Sequence, residues 1–289
     1  MHHYTLFTYK SIAGAPETLD IWQNLIPQLA FEYDFLLLGI LAATSLHLAL
    51  TDPAHQEAHS GRARQYYNTA SALFRPHLTS ITPANISALF SFSALVPVCA
   101  FGFRQIPCLP ANPLPEILEI IVLLRGTAHI VKTGAHWLEC GPLKHLLLPQ
   151  PSNQSEALSM EIEAALSGLS RRNDETTADT ALRDAYCMAI TVLRQTFRLA
   201  ADAPGNANTA LLFPIMTPPE VPVKIRNGEP MALAILTHYA VLLHWLDSVI
   251  WLRGWGRQVV KAVEAAVGEE WRGCIAWAIG EVEKDTIDV

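Results

Sequence analysis

Charge is scarce in this chain: only 16% of its 289 residues are Asp, Glu, Lys or Arg. Its cations never cluster beyond Arg171-Arg172, and the net charge is −7. Tight nucleic-acid binding needs grouped lysines and arginines to neutralise phosphates, so this chain is not expected to bind nucleic acid directly. Cys99, Cys108, Cys140, Cys187 and Cys274 are scattered, odd in number and form no CxxC pair. Neither a four-ligand structural zinc site nor a six-cysteine binuclear cluster can be assembled from them. The expectation is reduced thiols packed as small apolar groups in an intracellular protein. Met1 to Tyr9 lacks the apolar core of a signal peptide. GxSxG, HExxH, the P-loop and GxGxxG are all missing. So is the aspartate-rich metal-diphosphate motif of terpene cyclases, since Asn173-Asp174-Glu175 sits in an expected loop without the required spacing. Neither a metal nor a cofactor is called for.

What is present is hydrophobicity, at 51% of residues. With so many apolar residues the chain can bury a large core, which rules out disorder. No run alternates with period two, so strands are not expected, whereas helix punctuation is plentiful. Asp52-Pro53, Thr82-Pro83, Asn112-Pro113 and Thr217-Pro218 each set a capping side chain before a proline suited to a first helical turn, and Glu220 completes a capping box with Thr217. The predicted class is all-α, a single large multi-helix domain over 1–289 with an internal hydrophobic pocket. Helices are expected near 3–13, 17–29, 31–50, 53–75, 83–105, 113–139, 154–168, 176–201, 218–226, 229–249, 251–267 and 269–283. The polar stretches 149–157, 168–180 and 202–222 read as surface loops. Phe35–Leu50, Ile86–Phe103 and Met231–Leu246 are apolar but shorter than the ~20 residues that comfortably span a bilayer, and are expected to be buried helices rather than membrane spans. Apolar surface left over would suit a homodimer.

Several segments carry a resemblance in consistent order along almost the whole chain. They include His2-His3-Tyr4-Thr5, Ile21-Trp22-Gln23, Ser45-Leu46-His47-Leu48-Ala49 and Phe90-Ser91-Phe92-Ser93. Downstream come Leu124-Arg125-Gly126, Trp137-Leu138, His238-Tyr239-Ala240, Trp251-x-x-Gly254-Trp255-Gly256 and Gly268-Glu269-x-Trp271. Together they resemble the C-terminal ligand-binding regulatory domain of the fungal zinc-cluster transcription factors that control sterol uptake. That resemblance implies a helical domain with an apolar sterol pocket, whose occupancy governs whether the factor stays in the cytoplasm or enters the nucleus. Met1 directly precedes the HHYT segment, where the family has a zinc cluster and linker, and Ala278 stands where the family tends to have proline.

The expected ligand is thus a hydrophobic small molecule, a sterol or a terpenoid or polyketide, contacted by Phe92, Phe101, Trp137, His238, Tyr239, Trp245, Trp251 and Trp255. Trp251 and Trp255 are four apart and would share a helix face, and amphipathic aromatics suit a flat apolar ligand with one hydroxyl. Ordinary core packing is the competing reading for Tyr239, Trp245, Trp251 and Trp255. His238 or Tyr239 would hold the ligand's polar end. The rival function is a secondary-metabolism cyclase or pericyclase reusing the fold, with His238, His244 and Asp247 as catalytic candidates. His244 and Asp247 at i, i+3 could equally be a plain helix-surface pair. His129, His136 and Glu139 share a face, but nothing else argues for a metal there. Arg125 reads as a structural clamp, and Gly126 as a place where another helix comes close.

Overall fold

A computed structural model describes residues 1–106, 112–147 and 158–284. The described residues are helices and turns without strands, so the all-α class holds. Thirteen α-helices run in order among the described residues: α1 Tyr9–Ile12, α2 Ile26–Ala30, α3 Asp34–Thr51, α4 Gln56–Phe74, α5 Ile86–Phe103, α6 Leu114–Glu139, α7 Met160–Thr176, α8 Thr180–Asp202, α9 Leu212–Met216, α10 Glu220–Arg226, α11 Pro230–Trp245, α12 Trp255–Ala266 and α13 Glu269–Lys284. Contacts within the chain sort it into two units, one of residues 1–109 with 123–148, the other of 110–122 with 149–289.

The first unit is built on α3. Its Ala42, Ala43 and Ala49 are fully buried, and so are Ala63 and Ala70 of α4. Small side chains on both helices let the two backbones approach closely. α5 packs on another side of α3, where a Cβ at Gly39 would come within 2.7 Å of the Phe92 ring. That glycine therefore makes the room in which Phe92 lies. Helices α3 and α5, with 18 residues each, are apolar enough to enter a membrane, but 56% and 78% of them is buried inside the protein. Their apolar character thus serves the core.

The second unit is centred on α11. Every residue from Met231 to His244 is buried, the pattern of a helix enclosed all round. α8, α10, α12 and α13 pack around it, with α7 against α8 and α13. Gly256 opens the way for α12: a Cβ there would strike the Ala240 carbonyl oxygen and the His244 backbone nitrogen of α11.

Some boundaries differ from the sequence reading. The 149–157 loop and the start of the 154–168 helix lie outside the described residues. α7 begins at Met160 and continues to Thr176, so most of the expected 168–180 loop is helix. The reason is local. Arg171, Asp174 and Glu175 form a solvated face, while Asn173 is buried and donates to the Arg183 carbonyl at 2.9 Å. The break falls only at 177–179, where Asp179 caps α8 by accepting from the Ala181 and Leu182 amides. The expected 202–222 loop holds a 3₁₀ turn, Ala207–Leu211, and α9. α5 starts at Ile86, not 83, because Asn85 rather than Thr82 turns the chain, accepting from the Thr82 amide at 2.8 Å. The Thr217 hydroxyl bonds back to the Phe213 carbonyl at 2.6 Å instead of capping α10. Asn112 behaves as expected and accepts from the Leu114 amide at 3.1 Å.

Candidate functional site

Residues of the first unit on three helices turn toward one hollow. α4 supplies Tyr67, Ser71 and Phe74, at i, i+4 and i+7 on one face. α5 supplies Phe92, Val96, Ala100 and Phe103 with the same kind of spacing, and α6 supplies Leu123, Gly126 and Ile130. The groove they enclose has a volume of about 680 Å³, within the ~300–1,000 Å³ range of small-molecule sites. Its floor is buried at Phe92, Val96, Ala100 and Ile130, while Leu123 and Gly126 at the edge are exposed. The hollow is therefore a groove open to solvent along one side.

Phe92 is held in the floor by Phe35, edge-on at 5.8 Å, and by Phe74 at 4.6 Å. Gly126 is no site of helix approach: a Cβ there would meet nothing within 4 Å, since the residue faces the groove instead of another helix. The polar members are Tyr67, Asn68, Ser71, Arg75 and Arg104. Burial pushes the Tyr67 hydroxyl up to about 12, against the lowering effect of Ser71, Arg104 and Arg75 beside it, so it remains a proton donor at neutral pH. The Tyr67 ring lies edge-on to Phe103 at 5.6 Å, and the Arg64 guanidinium sits over the same Phe103 ring at 5.1 Å.

Of the eight residues expected to contact a ligand, Phe92 alone lines this groove. Phe101 is buried on α5 at 2% exposure, and Trp137 on α6 is 37% exposed, and neither is part of its wall. The remainder lie in the second unit. His238 is fully buried, its Nδ1 2.8 Å from the Ala234 carbonyl oxygen, and its ring stacks on Trp277 at 5.4 Å. Burial pulls its pKa down to about 4, which keeps the imidazole neutral. Tyr239 stacks on Phe213 at 4.7 Å. Neither His238 Nε2 nor the Tyr239 hydroxyl has a hydrogen-bond partner among the described residues. Trp245, 40% exposed, meets Phe197 edge-on at 5.3 Å.

Trp251 and Trp255 are both buried but do not share a helix face. α11 ends at Trp245, not 249, and Trp251 lies in the turns before α12, which begins at Trp255. The turn is closed by Asp247, whose Oδ1 accepts from the Gly254 amide at 3.0 Å, while Gly254 adopts φ 79°. His244 Nδ1 does approach Asp247 Oδ2, at 3.4 Å. The two side chains are neighbours, but not as a pair on a helix surface: His244 is buried, and Asp247 lies past the end of α11 with its carboxylate fastening the turn. Cys108 lies outside the described residues, and Cys99, Cys140, Cys187 and Cys274 are free thiols.

The comparisons with known proteins bear on what this architecture serves. A Zn(2)-C6 fungal-type transcription factor of Gibberella zeae is 26% identical over 96% of this chain and 60% of its own length. Over nearly its whole length the chain is thus similar to a fungal zinc-cluster transcription factor. Another such factor, afumD of Aspergillus fumigatus, is 40% identical over 36% of this chain and 28% of its own length. Sterol uptake control protein 2 of Saccharomyces cerevisiae is 32% identical over 33% of this chain and 10% of its own length. The chain therefore spans no more than 60% of the length of these relatives. No family model matches it.

The groove was missed because its residues look ordinary one at a time. Tyr67, Ser71 and Phe74, and likewise Leu123, Gly126 and Ile130, do follow the helical period, which was the available signal. That three such stripes converge is not written in any one of them.

Proposed function

We propose that this chain is the effector-binding region of a fungal zinc-cluster-type transcriptional regulator, with a hydrophobic small molecule seated in the groove of α4, α5 and α6. The observation that carries this reading is the groove itself: about 680 Å³ of space with an apolar floor and a few polar groups at the edge. Apolar walls supply affinity by releasing water from the ligand, and the polar groups orient it. One relative carries sterol uptake in its name, and a rigid ring system with one polar end is among the molecules such a wall accepts. Occupancy acts by favouring one arrangement of the helices over another, by as much as the ligand's affinity differs between them. In this reading the regulator's passage between cytoplasm and nucleus is the output.

Gly126→Leu tests the site. The new side chain enters open space in the groove and replaces a helix-interior glycine, so stability should hold or rise by about 0.5–1 kcal/mol. Binding of ergosterol or an apolar dye, followed by fluorescence, should weaken at least tenfold while the melting temperature is maintained. Unchanged binding in the folded variant would place the ligand elsewhere.

A further inference from the structure

The chain as a whole is acidic, with 27 acidic residues against 20 Lys and Arg. Its groove is not. The lining residues include Arg75 and Arg104 and no Asp or Glu. Arg64 adds a third cation over the Phe103 ring, itself part of the wall. These charges are not spread evenly round the rim. Tyr67, Ser71 and Arg75 follow one another at i, i+4 and i+8 along α4 and the turn after it, and both Arg75 and Arg104 lie close enough to act on the Tyr67 hydroxyl. Arg104 is steadied by donating to the Ala100 carbonyl at 3.1 Å. Phe92, Val96, Leu123 and Ile130 supply an apolar surface on α5 and α6.

We propose that the groove selects an amphiphile with an anionic head, a long-chain carboxylate, over an uncharged lipid of the same shape. The tail lies against Phe92, Val96 and Ile130, where each methylene removed from water contributes. The head meets Arg75, with the Tyr67 hydroxyl, itself bonded by Ser71, as a further donor. A guanidinium beside a hydroxyl donor suits the two oxygens of a carboxylate, which accept hydrogen bonds without donating any. A sterol hydroxyl presents one oxygen and no charge, and leaves an arginine with nothing to neutralise. This assignment rests on the groove being the effector site, as proposed above.

The test compares oleate with oleyl alcohol, whose tails are identical, by isothermal titration calorimetry on the full chain, its Arg75→Gln variant and its Gly126→Leu variant. Arg75 is exposed, so its replacement leaves the fold intact. The expected result is oleate binding about tenfold tighter than the alcohol, in keeping with a charge-assisted contact at a partly solvated site. Arg75→Gln should remove most of that preference and leave alcohol affinity unchanged, and Gly126→Leu should weaken both ligands. Equal affinity for the two, lost together in Gly126→Leu, would overturn the anionic-head assignment while leaving the groove as the site. A preference for oleate that survives Arg75→Gln would overturn the role given to Arg75. Binding of neither ligand, or binding indifferent to Gly126→Leu, would overturn the groove as effector site and this assignment with it.

Discussion

Tyr239 shows how a single buried residue can be recognised in sequence and still have its role decided by its surroundings. It is fully buried and stacked on Phe213, but its hydroxyl has no hydrogen-bond partner among the described residues. Burying a hydroxyl without a partner costs about 1–3 kcal/mol. Tyr239→Phe, which keeps the ring and its stacking, should therefore raise stability in urea by about 1 kcal/mol. A loss of similar size would mean that the hydroxyl is satisfied by something bound. Trp255 and Trp251 were legible as buried aromatics, since large apolar rings seldom stay in water. Their shared helix face was not, because the turn at Gly254 depends on a bond from Asp247 that no local pattern announces.

Elements meet where glycines allow them to. Gly256 lets α12 lie against α11, and the atoms that a Cβ would strike there belong to the α11 backbone, which cannot swing aside as a side chain can. Gly256→Ala should destabilise the protein by about 2–3 kcal/mol through overpacking, read as a lowered urea midpoint with an unchanged slope. Gly126 is the opposite case, a helix glycine facing open space. Both occur beside conspicuous tryptophan or arginine residues in the sequence, and nothing in either neighbourhood tells a contact glycine from an open one. Helix existence was legible from punctuation and apolar spacing. The extent of α7 was not, because its polar run Arg171 to Glu175 reads equally as a loop and as the solvated face of a helix. The buried Asn173, tied to Arg183, settles the matter.

At the scale of the whole molecule, two histidines make stability depend on pH. Burial pulls His238 down to about 4, and burial together with the neighbouring His3 pulls His47 down to about 4, from an ordinary 6.5. Between those values the unfolded chain takes up protons that the folded chain refuses. Stability is therefore complete above about pH 6.5 and falls as the pH drops toward about 4, by about 1.4 kcal/mol per pH unit for the fully buried His238 and by less for the half-buried His47, whose charge water partly screens. Urea midpoints at pH 7.5, 6 and 5 should decline in that order. The sequence by itself determined the helical class and the burial of the apolar runs, because helical period and hydrophobicity are properties of neighbours along the chain, and its ordered motifs carried the resemblance to zinc-cluster regulators. Only the tertiary structure decided where the hollow lies and which residues wall it. A groove exists where stripes from α4, α5 and α6 meet without filling the space between them, and packing of that kind is a relation between residues far apart in sequence.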